Sequence, residues 1–296
     1  MSAADTGVPI SVVIPCLDAA ATLPRQLDAL AAQEWSGPWE VIVADNGSTD
    51  GTAAVAMEWA SRVPAITVVD ASEHPGAAHA RNAGAARARY DHLVWVDADD
   101  EVRPGFLAAM AVALADHDFC CGTWEAPFEV PRLESLPGPA GSGWRARLAD
   151  AGFLDAAGAC NGLGISRTAL DRAGGFVEDM TWGSEDTAFC WAVQLAGYPL
   201  TRVADARVAV YPRESARSLW RQQVQWGIGA VDAYRRFRDH GAPRSSTIGA
   251  LARWVVLPPS APVALLTPRW RYRWLGTAAR RWGRLAGSLR FRTVYL

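Results

Sequence analysis

Trp39-Glu40-Val41-Ile42-Val43-Ala44, followed at once by Asp45-Asn46-Gly47-Ser48-Thr49-Asp50-Gly51, is an apolar, β-branched run that stops at a turn built from acid, amide, glycine and hydroxyl. A run of this length bounded by such residues reads as a strand, because they are the ones whose backbones and side chains favour tight turns. Residues 49–62 then supply helix formers, with Ser48 or Thr49 available as N-cap and Asp50 in the first turn. The same unit recurs on either side. Residues 8–15 read as a strand ending in proline and leading to a helix over 19–33, while 66–69, 76–89 and 92–96 read as strand, helix and strand. Alternation at this interval predicts a mostly parallel sheet with helices on both faces.

Ligands of such sheets gather beyond the carboxyl ends of the strands. The acids fall there: Asp18 after the first strand, Asp45 after the second, and Asp97, Asp99 and Asp100 after the fourth. Two carboxylates spaced as in Asp97-Ala98-Asp99 can share one divalent cation, which in turn neutralises a diphosphate. The carboxylate of Asp45 can accept hydrogen bonds from a nucleobase, and the amides around Gly47 and Ser48 can approach ribose or phosphate. Arg81-Asn82-Ala83-Gly84, on a predicted helix, adds a cation and a small residue that permits close approach.

Further along, 106–114 reads as a helix, 127–143 as a Pro- and Gly-rich loop suited to a lid, and 160–166 as a strand. A short helix over 168–173 ends at Gly174-Gly175, a second runs over 185–195 to Gly197, and a long amphipathic helix covers 217–240.

In this order the segments Ser11-Val12-Val13-Ile14-Pro15, Asp45-Asn46-Gly47-Ser48-Thr49-Asp50, Ala80-Arg81-Asn82-Ala83-Gly84 and Val96-Asp97-Ala98-Asp99-Asp100 resemble family 2 of the inverting glycosyltransferases over roughly residues 8–210. The resemblance implies the GT-A fold: a Rossmann-like, mostly parallel central sheet flanked by helices, here with a helical C-terminal extension. It implies a catalytic domain over 1–212, with a nucleotide-binding half (1–115) and an acceptor-binding half (116–212), then an Arg/Trp-rich extension over 213–296. By the same resemblance Pro15, Asp18, Asp45, Gly47, Ser48, Arg81, Asp97 and Ala98 contact a nucleotide-diphosphate sugar, and Asp99 with Asp97 holds Mg²⁺ or Mn²⁺. Trp182-Gly183-Ser184-Glu185-Asp186 corresponds to the segment bearing the catalytic base, so Asp186 is the preferred base and Glu185 positions the acceptor or substitutes for it. Inverting transfer is a single displacement and needs one such carboxylate, without a second, nucleophilic one. The acceptor is a glycan, a lipid-linked molecule or a small molecule.

Asn46 stands where the family's turn has a second acid, and residues 208–213 lack the histidine the family often supplies to the metal. Gln222-Gln223-Val224-Gln225-Trp226 resembles a degraded signature of processive synthases without its arginine, which favours a single transfer. A sugar-nucleotide nucleotidylyltransferase would carry a glycine-rich loop after the first strand and a catalytic lysine; here Pro15-Cys16-Leu17-Asp18 follows that strand and the chain has no lysine. The other alternative is a non-catalytic nucleotide-sugar-binding protein, against which Glu185 and Asp186 argue.

The 296 residues carry a net charge of −2, unevenly spread: ten arginines and no acid follow Asp239, so the preceding residues carry −12. An acidic body excludes nucleic acid as the main partner. The basic tail, with Arg269-Trp270-Arg271-Tyr272-Arg273-Trp274 and Arg280-Arg281-Trp282, suits an anionic membrane surface or packing on the catalytic domain or a second subunit of a homodimer. Residues 1–9 lack the basic and apolar regions of a signal peptide, and no stretch approaches a spanning helix, so a cytoplasmic enzyme, peripheral on the inner face of the membrane, is expected. The five cysteines show no metal or disulfide spacing and read as reduced core residues.

Overall fold

The structure is a computed structural model that describes residues 7–125, 162–211, 215–242, 247–257, 260–262 and 268–296. The loop expected over 127–143, Cys160 and the start of the strand expected over 160–166 lie outside the described residues. Contacts group the chain into two units. The first takes in residues 7–125, 162–181 and 189–211; the second takes in 182–188 and the described residues beyond 212.

The first unit is built on an eight-stranded sheet of order β3-β2-β1-β4-β7-β6-β8-β5. Its strands are β1 (Ile10–Cys16), β2 (Trp39–Asp45), β3 (Ile66–Asp70), β4 (His92–Trp95), β5 (Glu101–Val102), β6 (Phe119–Glu125), β7 (Leu163–Ser166) and β8 (Thr201–Ala209). Pairing is parallel through β3, β2, β1 and β4, as the repeated strand-helix units require. Beyond β4 the sheet is mixed: β7 runs antiparallel to β4 and β6, β6 pairs parallel with β8, and β5 pairs antiparallel with β8.

Alternation along the strands packs both faces. Ile10, Val12, Ile14, Val41, Val43 and Val94 point to one side, where they meet α1 (Leu23–Ala31) and α4 (Phe106–Asp116). On the other side Trp95 meets Phe176 and Phe189 edge-on at 5.1 and 5.7 Å, and those two rings stack at 4.0 Å. There α3 (Ala77–Arg87) approaches β1 at Gly84, where a Cβ would fall 2.4 Å from Val13 Cγ1, so the small residue does permit close approach. Cys16, Cys120, Cys121 and Cys190 are buried, as expected of core residues.

One local expectation fails. The helix after β2 does not start near Ser48; α2 is only Thr52–Met57, and its N-cap is Gly51, whose φ of 86° is left-handed. Ser48 and Thr49 bind the neighbouring loop instead of capping a helix, and Asp50 accepts from the Thr52 amide.

The second unit is helical: α7 (Ala216–Phe237), α8 (Thr247–Val256) and α9 (Pro268–Arg290). Ser215 caps α7 by accepting from the Ser218 amide at 3.1 Å. Helices α7 and α9 pack backbone to backbone at glycines: a Cβ on Gly227 would lie 2.3 Å from the Arg280 carbonyl oxygen, and one on Gly283 2.1 Å from that of Val224. Gln223 serves this packing, its Oε1 accepting from Arg280 Nε at 2.9 Å. Among the described residues no helix is long and apolar enough to cross a membrane. Between the sheet segments lie α5 (Arg167–Ala173) and α6 (Glu185–Leu195).

Candidate nucleotide and metal site

The carboxyl ends of β1, β2 and β4 lie side by side, because Cys16 pairs with Asp45 and Val13 with Trp95 in the parallel register. The loops leaving β1 and β2 are fastened together. Asp18, itself left-handed at φ 48°, accepts from the amide and hydroxyl of Thr49 at 2.8 and 3.2 Å, and its own amide donates to Ser48 Oγ at 2.9 Å. The Ala20 amide donates to Asp50 Oδ2 and the Ala19 amide to Thr52 Oγ1, each at 2.9 Å. Asp45, half-buried, accepts from the Ser48 amide at 2.9 Å and so closes the turn whose tip is the exposed Gly47. Asn46 explains its own departure from an acid. Its Nδ2 donates to the carbonyls of Ala71 and His74 at 2.5 and 2.8 Å while its Oδ1 accepts from the Gly76 amide at 2.7 Å, and a carboxylate has no hydrogen with which to do both.

Asp97, Asp99 and Asp100 bring one carboxylate oxygen each within 4.8 Å of one another. The turn that presents them is held from three directions that sequence reading missed. Gln26 of α1 donates to the Asp97 carbonyl at 3.0 Å and accepts from the Val102 amide at 2.9 Å. Arg25 donates to the Asp99 carbonyl and lies over the Tyr211 ring at 3.7 Å. The Tyr211 amide donates to Asp100 Oδ1 at 2.9 Å and its hydroxyl to Glu101 at 2.7 Å. Gln26 did leave a signal: it sits on the buried face of α1 with Leu23, Leu27 and Leu30, where a polar side chain needs partners.

Arg81 donates to Asp97 Oδ1 at 3.1 Å and its side chain is only 6% exposed, beneath Phe176. It therefore anchors Asp97, whatever else it touches. Burial, then the charges of Asp99 and Asp97, push the Asp100 carboxyl up to about 8. Burial, with Asp45 next, also raises the Cys16 thiol, which stays protonated. Three clustered carboxylates in such surroundings are the oxygen-donor set that suits a hard divalent cation. Ala98 is buried between the two outer acids, and Pro15 is half-buried at the end of β1.

Glu185 and Asp186 open α6 and belong to the second unit, with Asp186 Oδ1 accepting from the Thr187 amide at 2.6 Å. The structure thus gathers Pro15, Asp18, Asp45, Gly47, Ser48, Arg81, Asp97, Ala98 and Asp99 in one unit and Glu185 and Asp186 in the other.

Comparison with known proteins bears on the family and the fold. The profile of glycosyl transferase family 2 matches residues 11–172. The uncharacterized glycosyltransferase YibD of Escherichia coli K12 is 33% identical over 108 residues, which are 36% of this chain and 31% of that protein. The poly-beta-1,6-N-acetyl-D-glucosamine synthase of Staphylococcus aureus is 25% identical over 237 residues, 77% of this chain and 56% of the synthase. The chain therefore spans less than two thirds of either relative. In structure it is similar to the mannosyltransferase PcManGT of Pyrobaculum calidifontis, solved with GDP-Man and Mn²⁺, at a TM-score of 0.63 and 20% identity, covering 96% of this chain and 88% of that one. At that identity the likeness is one of fold.

Proposed function

The chain belongs to glycosyl transferase family 2, and from that premise we propose that it is an inverting glycosyltransferase moving one sugar per encounter from a nucleotide-diphosphate donor to an acceptor hydroxyl. The observation that carries this reading is the Asp97, Asp99 and Asp100 cluster at the same sheet edge as the Asp45 turn. Asp45 takes the nucleobase, the backbone of Gly47 and Ser48 and the adjoining Pro15 and Asp18 line the nucleoside, and Arg81, Asp97 and Ala98 face ribose and phosphate. Asp99 with Asp97 holds a divalent cation, Mg²⁺ or Mn²⁺, which when bound supplies charge neutralisation at the diphosphate. Asp186 takes the proton of the acceptor hydroxyl, and Glu185 orients the acceptor. Support comes from the fold shared with a GDP-Man and Mn²⁺ complex. The test is incubation with a panel of GDP- and UDP-sugars, each cation and simple glycan or lipid-linked acceptors, reading product stereochemistry by NMR. Inversion at the anomeric carbon is expected. Retention of configuration would overturn the mechanism, and no transfer from any donor would leave a binding protein.

The second unit supports a cytoplasmic enzyme held at the inner membrane face. Trp270, Trp282, Val255 and Val256 are 52, 54, 75 and 62% exposed, in a tail carrying ten arginines and no acid. The protein is expected to float with anionic liposomes at low salt and to be released as salt screens the arginines. Replacing Trp270 and Trp282 with serine is expected to weaken flotation. These substitutions leave α9 in place, where α7 packs against it through Gly227 and Gly283. Indifference to anionic liposomes would overturn the membrane role, and a concentration-dependent dimer in their absence would assign these side chains to a second copy of the chain.

A further inference from the structure

Gly183 and Ser184, immediately before Glu185, have φ of 86° and 65°. Glycine adopts the left-handed region freely; serine enters it at a cost and stays only where its surroundings impose it. The second unit provides those surroundings. Gly229 of α7 lies so close that a Cβ there would stand 2.0 Å from the Gly183 carbonyl oxygen and 2.9 Å from that of Trp182. A Cβ on Gly183 would in turn meet Trp226 Cδ1 at 3.1 Å. From α9, the Arg290 guanidinium lies 5.0 Å over the Trp182 ring. Helix α7 is immobilised in its turn by the glycine contacts with α9, and the Ala188 amide, donating to the Ser184 carbonyl at 3.0 Å, carries the constraint into the first turn of α6.

We infer that Gly229, Trp226 and Arg290 are positioning residues for the Glu185-Asp186 pair. The inference rests on Asp186 being the base. Methylene-scale crowding at Gly229 displaces the Gly183 carbonyl and, through two left-handed residues, rotates the start of α6. A shift of about 1 Å at a reacting group costs on the order of 10²-fold in rate.

The test compares Gly229→Ala, Arg290→Ala, Arg290→Lys and Asp186→Asn in the full chain. Gly229→Ala is expected to lower kcat by about 10²-fold with the affinity for nucleotide diphosphate and Mn²⁺ within twofold of wild type, because the donor-binding residues belong to the other unit. Arg290→Ala is expected to lower kcat by a smaller factor and Arg290→Lys to restore most of it, since an ammonium also sits over an indole face. The acidic limb of the kcat profile against pH is expected to move in Gly229→Ala, which a merely smaller folded fraction would not cause. If Gly229→Ala does not fold, the arginine pair decides. Wild-type kcat in Gly229→Ala and Arg290→Ala alongside an inactive Asp186→Asn overturns the positioning role alone. Full activity in Asp186→Asn overturns the assignment of the base instead. Equal losses of kcat and donor affinity with an unmoved pH profile make the contacts purely structural and overturn the inference.

Discussion

Asp186→Asn is expected to transfer sugar 10²- to 10⁴-fold more slowly, on the order of the loss of a general base, while binding donor as wild type does. Asparagine keeps the size of the side chain and its acceptor oxygen toward the Thr187 amide, so the first turn of α6 survives the change. What disappears is the ability to take a proton. Asp45→Ala provides the opposite control: its carboxylate closes the turn after β2 in the other unit, so donor affinity falls first. Single-turnover rates at saturating donor, with calorimetric donor affinity, separate the two. A wild-type rate in Asp186→Asn with an inactive Glu185→Gln would move the base to the preceding residue. Normal turnover in both would make the whole 182–186 segment structural and leave the mechanism without a base.

The parts of the fold that could be read from sequence are those where one local pattern carried the information. The runs at 12–14, 41–44 and 93–96 are apolar on both faces because helices cover both sides, and such runs declare themselves. Strands β6 and β8 did not. Phe119-Cys120-Cys121-Gly122 has no clear period, and β8 mixes arginine and aspartate with valine because much of it is exposed. The start of α2 was misplaced because Ser48 and Thr49 are good capping residues whose partner, Asp18, comes from another loop. Local propensity favoured the cap, and the tertiary contact won. The site divides in the same way. Asp97 and Asp99 are neighbours in sequence and were visible; Gln26, Arg25 and Tyr211, which hold their turn, lie some 70 to 110 positions away and leave no spacing to read.

Asp99→Asn is expected to abolish the contribution of metal to donor affinity. Its side chain is half-buried at the tip of the turn, where the Arg25 guanidinium donates to the Asp99 carbonyl and not to its carboxylate. Removing one of the clustered charges is expected to weaken binding of nucleotide diphosphate in Mn²⁺ by at least the 10- to 100-fold that substitutions in outer shells of metal sites produce. Asp97→Asn is a less clean probe, since that carboxylate also pairs with Arg81, whose side chain is 6% exposed; there affinity and melting temperature are expected to fall together. Calorimetry with wild type and Asp99→Asn, each with Mn²⁺ and with chelator, decides the matter. If metal acts through Asp99, chelator weakens wild type and leaves the variant unchanged. If chelator leaves wild-type affinity intact and Asp99→Asn binds equally well, the three acids hold no cation that the donor uses, and the leaving diphosphate must be stabilised by cationic side chains instead.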